Sequence, residues 1–334
     1  MTQRKNYWTS CMAALGFIIL ILDAKTAVSG ARDGLLLCIN VVVPSLFPFF
    51  VLSAIVNSML TGMHWRFLRP IGKLCGIPKG GESFLLLGLL GGYPVGAQCI
   101  SDAYSRNLID KDSAKRMLGF CNNAGPAFIF GMLGNMFDTK TALWCLWGIH
   151  ILSAILVGII LPNKKESNCS IPTKETISIH SALDTGIKNI AFVCGWVILF
   201  RVILTFTQRW FLWLMPDTYQ TVIAGILELS NGCLGLHGVT KDGLRYVLGA
   251  GFISFGGLCV GMQTMSTTKS LDRNFYFPGK ILQTTFSLIL AGITQYLIFS
   301  PQDCFANPWW CLGTFLMPCI ILFRKKKKKV VAIP

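Results

Sequence analysis

The 334-residue chain is 53% hydrophobic and 13% charged, with a mean hydropathy of +0.57. An ordinary soluble domain of this length carries about 80 charged residues; this one has 30 basic and 15 acidic, too few to wet a soluble surface, which excludes a soluble globular enzyme and a disordered chain. The net charge of +15 does not point to nucleic acid either, since six of the thirty basic residues form the tail Arg324–Lys329 and the others fall between apolar runs, as the positive-inside bias requires. The expected class is an all-α polytopic membrane protein whose first partner is the lipid bilayer.

A spanning helix needs about 20 apolar residues, and the segments 7–22, 34–60, 141–161, 183–206, 283–299 and 309–323 qualify. Taken along the chain, 7–22 follows Arg4 and Lys5 as the core of a signal peptide would, but no A-x-A site follows, so it reads as an uncleaved helix. The second, 34–60, contains Pro44 and Pro48 and should kink. The stretch 63–80, with Arg66, Arg69 and Lys73 among aromatic and aliphatic residues, suits a helix lying in the headgroup layer.

Two apolar segments broken by glycine, proline and amides come next, 83–106 and 114–137, with Asp110 and Asp112 reading as the N-terminal cap of the latter. After 141–161 comes the polar stretch 163–181, a solvated cytoplasmic linker, and then 183–206. The stretch 207–215 (TQRWFLWLM) reads as a second surface helix, followed by a second interrupted pair, 219–237 and 245–266. Non-helical backbone at membrane depth is tolerated only where it is buried in protein or lines a wet cavity, so these four breaks mark candidate sites. None of the thirteen cysteines forms a C-x-x-C motif, and most sit in apolar runs as small hydrophobes. Cys304 and Cys311 are the one pair placed for a test of bridging.

The order surface helix, interrupted segment, interrupted segment, long helix occurs twice, and Leu118-Gly119-Phe120 with Gly125 matches Ala250-Gly251-Phe252 with Gly257. If 83–106 and 219–237 are re-entrant hairpins while 114–137 and 245–266 cross, and both termini are cytoplasmic, 22 Lys and Arg fall inside and 6 outside, with Lys188 and Arg201 within a helix. The two units then have opposite orientation: an inverted repeat of eight crossings and two hairpins. On this reading 1–61 holds N-terminal helices, 62–162 the first repeat, 163–181 the linker, 182–299 the second repeat, and 300–334 the last helix and basic tail.

Inverted repeats with broken helices meeting near the midplane are the usual build of secondary transporters. The candidate substrate-binding residues lie at the four breaks: Gly92, Tyr93, Pro94 and Gln98; Asn122, Asn123 and Gly125; Glu228, Ser230 and Asn231; and Ser254, Gly256 and Gly257. Glycines admit close backbone approach, half-helix N-termini favour anions, and amides read donors or acceptors. Gly88, Gly131 and Gly261 serve helix packing equally well. Glu228, an acid within an apolar run, is a candidate carrier of a coupling proton, with sodium as the other coupling ion. Alternatively it pairs with Arg201, which could instead snorkel to the outer surface. His64, His150, His180 and His237 are scattered, no nucleotide or metal motif occurs, and neither an enzyme nor a bound cofactor is expected.

The run GGYPVGAQCISDAYSRNLIDKDSAKRMLGFCNNAGPAFIFG (91–131) resembles the signature region of the sporulation integral membrane proteins of endospore formers, the YlbJ type, which belong with the nucleoside-recognition (Gate) domain proteins. The layout is similar, more distantly, to concentrative nucleoside transporters, with two hairpins and two unwound helices around a midplane site. The resemblance implies a role in spore formation, at the cell membrane or the mother-cell-derived forespore membrane, moving a small anionic metabolite, dipicolinate (pyridine-2,6-dicarboxylate). The nucleoside carriers' own binding motifs are not reproduced beyond scattered amides and Glu228. A nucleoside transporter and a non-transporting scaffold of a spore-formation complex stand as alternatives, and a homo-oligomer is compatible with either.

Overall fold

The computed structural model describes residues 2–60, 66–161, 177–268, 271 and 274–304. The segment 309–323, the basic tail, Cys311 and most of the 163–181 linker lie outside these residues. The chain is helical, with no β-strand among the described residues.

Helix α1 (Thr2–Leu22) leads into α2 (Ala24–Leu37), whose Asp23 cap accepts from the Thr26 N–H at 3.2 Å. A π-helical turn, Cys38–Val42, joins α2 to α3 (Val43–Leu60) without a break in the rod. The widened turn directly precedes Pro44, which has no N–H to give the ladder; the disturbance expected from the prolines takes this form. This rod starts at Ala24, earlier than the 34 read from hydropathy. Among the described residues of the 63–80 stretch, Arg69–Leu74 is helical (α4), held to the next element by Arg69, whose Nη1 lies 3.0 Å from Oε1 of buried Glu82.

Both interrupted pairs fold in the same manner. Helices α5 (Glu82–Leu90) and α6 (Val95–Ser105) form a hairpin with a tip at 91–94. Helix α7 (Lys111–Met117), capped by Asp110 through the N–H groups of Asp112 and Ser113 at 3.0 and 2.9 Å, gives way to non-helical backbone up to Gly125; α8 (Pro126–Leu133) then resumes. After α9 (Lys140–Ile160) and α10 (Ile179–Trp210), a second hairpin is made by α11 (Asp217–Leu227) and α12 (Leu229–Gly235), turning at Glu228. The second broken helix, α13 (Asp242–Phe255) and α14 (Gly257–Thr267), is interrupted at Gly256, and α15 (Tyr276–Ile298) follows.

Glycine closes each hairpin. A Cβ on Gly96 would lie 3.0 Å from the Cα of Gly88 and collide with the Cys121 carbonyl; Gly232 stands backbone to backbone on Gly225. The role of Gly88 is therefore packing, and a Cβ on Gly261 would meet the Phe277 ring at 2.9 Å, whereas Gly131 has only the Ser45 Cβ at 3.7 Å. Each hairpin rests on the broken segment that follows it, the first at Cys121–Asn122 and the second at the Phe252 ring.

Two sequence expectations need correction. The 207–215 stretch is not a separate surface helix: α10 continues as one rod to Trp210, and only a 3-10 turn at Leu212–Leu214 follows. The last described span starts at Tyr276 rather than 283, which moves Lys280 out of the expected cytoplasmic loop and into a helix.

Five helical rods are long and apolar enough to cross a membrane among the described residues: Ala24–Val56, Lys140–Ile160, Ile179–Trp210, Asp242–Thr267 and Tyr276–Ile298. Their outward faces carry bare hydrophobes such as Leu36, Ile39, Trp144, Leu199 and Leu297, whereas α5, the first turns of α6 and the residues around both helix breaks are almost wholly buried. The frame meets lipid, and the irregular backbone lies inside protein, where membrane depth permits it.

Candidate functional site

All four breaks meet. At the first tip Gly92 has φ +78°, conformational space open to glycine, and lies against Gly125 of the first broken helix: a Cβ on Gly125 would be 3.1 Å from the Gly92 Cα. The second break is threaded between both tips. A Cβ on Gly256 would sit 3.1 Å from Cζ of Tyr93, and one on Gly257 would sit 3.1 Å from the Leu229 N and 3.2 Å from the Glu228 Cα. Gly256 and Gly257 have φ of +78° and +77°. A side chain there would be strained and obstructed at once.

The junction encloses a cavity of about 30 Å³, walled by Tyr93 from the first tip, Ala124, Gly125 and Phe128 from the first broken helix, Glu228, Leu229 and Ser230 from the second tip, and Val260 and Gln263 from α14. Val42 and Leu46 reach it from either side of the junction between the π turn and α3, and Val193 and Val197 from α10. That volume admits about one or two waters, and the wall is mostly apolar, with Glu228, Ser230 and Gln263 as its polar members besides the Tyr93 phenol.

Of the expected site residues, Tyr93, Gly125, Glu228 and Ser230 line the cavity. Glu228, 2% exposed, turns its carboxylate onto the start of α12: Oε1 accepts from the Ser230 N–H at 2.9 Å, and Oε2 accepts from the Asn231 N–H at 2.7 Å and from the Asn231 side-chain Nδ2 at 2.6 Å. The expected alternative of a direct Glu228–Arg201 pair is not formed. Arg201 donates instead to Asn231 Oδ1 at 2.8 Å and to Asp33 at 3.1 Å, so it touches Glu228 only through Asn231, and it does not reach for the surface alone.

Asn122 and Asn123 are fully buried and hold the first break together rather than line the cavity. Asn122 accepts from the Ala97 N–H at 3.3 Å and donates to Thr264 Oγ1 at 2.9 Å. Asn123 donates to the carbonyls of Gly88 and Phe120 at 2.9 and 2.7 Å. Gln98 stands apart, accepting from Asn189 at 3.1 Å, and Pro94 caps α6. Ser254 contacts His150, and Gly92, Gly256 and Gly257 supply the close crossings.

Sequence reasoning missed three buried polar residues beside this junction: Lys280, Gln283 and His150, all without exposed surface. Lys280 Nζ lies 2.8 Å from Gln283 Oε1, 3.2 Å from Tyr93 Oη and 3.3 Å from Asn123 Oδ1, and stands 5.0 Å from the Tyr93 ring centroid. Gln283 Nε2 donates to Asn123 Oδ1 at 2.8 Å. His150 Nε2 accepts from the Ala124 N–H at 3.1 Å, which leaves the proton on Nδ1, 3.1 Å from Ser254 Oγ. The signal that could have found all three is an ionisable or amide side chain inside an apolar run; such a residue is a site hypothesis by default.

Hairpin tips and broken helices around a buried polar junction define a polytopic helical membrane protein with an internal site. In comparison with known proteins, the chain is 30% identical over 173 residues to the sporulation integral membrane protein YlbJ of Bacillus subtilis (strain 168). That match covers 49% of this chain and 41% of the relative, less than half of the length of each, and it supports the YlbJ-type resemblance. No family model and no solved structure matches the chain.

Proposed function

We propose that the protein is a secondary transporter of spore formation that moves a small anionic metabolite through the junction of tips and breaks. The observation that carries the proposal is the convergence of both hairpin tips and both helix breaks on one junction, beside a cavity with Glu228 in its wall. A protein that only spans and anchors has no need for irregular backbone at four places, each of which must be sealed from lipid. The two equivalent hairpin-and-break units support the inverted repeat, with eight crossings and two re-entrant hairpins, and the nucleoside-recognition assignment belongs to the same proposal.

The sporulation role follows the name of the similar protein, and dipicolinate follows the resemblance in residues 91–131. The decisive experiment is flux of pyridine-2,6-dicarboxylate into vesicles reconstituted with the purified protein: saturable uptake above empty vesicles supports transport. A second reading, a scaffold that kept the fold, draws support from the small cavity and from the internal hydrogen bonding of Asn122 and Asn123. It predicts no flux together with normal assembly of the spore.

A further inference from the structure

Among the described residues, Lys280 is a fully buried amine with no carboxylate in reach. Its three N–H groups end on three neutral oxygens, those of Tyr93, Asn123 and Gln283. Neutral acceptors satisfy the hydrogen bonds of an amine but supply no counter-charge, so a group held this way gives up its proton or takes on an anion.

Two features show where a counter-ion would come from. Tyr93 is shared: its ring belongs to the cavity wall, and its hydroxyl contacts the ammonium. The phenol is therefore the partition between the cavity and the charge. Second, Lys280 Nζ and Gln283 Nε2 both point at one oxygen, Oδ1 of Asn123, at 3.3 and 2.8 Å. That oxygen occupies the place of an incoming acceptor served by two donors, and two adjacent donor groups match the two oxygens of a carboxylate.

We propose that Lys280 and Gln283 form the carboxylate-binding clasp of the site, closed in this state by the Tyr93 phenol and the Asn123 amide, and that Tyr93 swings aside to admit the anion. The inference rests on the transport reading above for its ligand, a small carboxylate. Few bonds hold the partition: Tyr93 Oη donates to the Ile253 carbonyl at 3.2 Å and meets Lys280, and its ring packs against a glycine, Gly256.

The test combines two measurements with pyridine-2,6-dicarboxylate as the probe. In vesicles, Lys280→Met is expected to lower probe flux at least tenfold and Lys280→Arg to keep most of it, with flux expressed per folded protein because Gln283 Oε1 loses its donor in Lys280→Met. In the second measurement, trinitrobenzenesulfonate, an amine reagent, should label Lys280 in Tyr93→Ala but hardly in the wild type, with labelling suppressed by the probe; mass spectrometry of the peptide carrying Lys280 reads this, and it does not depend on Lys280→Met folding. Wild-type flux matched by Lys280→Met overturns the clasp and leaves transport standing. Protection of Lys280 by the probe in a protein that moves no dicarboxylate overturns transport and leaves the clasp. Labelling of Tyr93→Ala that the probe does not suppress, or no labelling at all, overturns the clasp.

Discussion

Glu228 caps the second half of a hairpin with three donors on two oxygens, and removing it has a calculable effect. In Glu228→Ala the start of α12 loses its N-cap, about 1–2 kcal/mol. The buried Asn231 amide loses its acceptor too, about 1–3 kcal/mol for an unsatisfied buried group. Together these come to about 2–5 kcal/mol. Glu228→Gln keeps one acceptor oxygen: turned to Asn231 it leaves the Ser230 N–H facing an NH2 group, and turned to Ser230 it abandons both Asn231 donors. The loss of one charge-assisted bond sets its cost at about 1.5–3 kcal/mol. The order of melting temperatures should be wild type, then Gln, then Ala, with steps of several degrees. A thiol-reactive dye reads it well, because Cys38, Cys99, Cys121, Cys233 and Cys259 are buried and free in the folded protein. An alanine variant that melts with the wild type would refute the capping geometry.

The same Glu228→Gln protein tests coupling: uptake that keeps the wild-type response to pH removes the proton from this residue and makes sodium the ion to try next. Asn123→Ala strands the carbonyls of Gly88 and Phe120 and the Gln283 amide, so it should cost about 2–4 kcal/mol and lower protein level, while a normal melting temperature with lost binding would return Asn123 to direct contact with substrate. Gly256→Ala should be destabilised by at least about 1–2 kcal/mol from its positive φ, and Gly148→Ala, at an exposed helical position with no atoms near its added Cβ, should stay within about 1 kcal/mol of wild type; equal melting of the two would contradict the crossing at Tyr93. Topology reporters fused after Lys174 and at Asn307 should read opposite sides, and agreement between them would rule out the inverted repeat.

The breaks were legible because glycine, proline and amides inside apolar runs conflict with the simplest spanning helix, and each conflict proved to be a tip or an interruption. Glu228 was visible for the same reason. Lys280 was hidden by its position: it lies one turn into α15, close enough to the basic loop to be counted with it. Tyr276 and Phe277, just before it, are the aromatic marks of a helix that has already begun. His150 was set aside for want of a metal motif, although it sits at the middle of a strongly apolar helix. The run-on of α10 through Trp210 could not be told from a surface helix by composition, since tryptophan beside arginine suits both the end of a span and a helix lying flat. Partners distant in sequence, such as Arg201 with Asp33, carry no local signal at all.

The glycine contacts that close the two hairpins have a mechanical consequence. Gly88 with Gly96, and Gly225 with Gly232, join main chain to main chain, so pulling either hairpin open would leave a gap with no side chain on hand to fill it, and the dispersion contacts of that seam would be forfeited at once. These seams are welds. The crossing of Tyr93 over Gly256 is of another kind, a rotatable side chain against bare backbone, and it joins the first hairpin to the second broken helix. If the molecule alternates between two openings, the halves should travel as stiff bodies and slip at that bearing, and disulfide cross-links placed within one hairpin, away from its glycine seam, should then be harmless to flux.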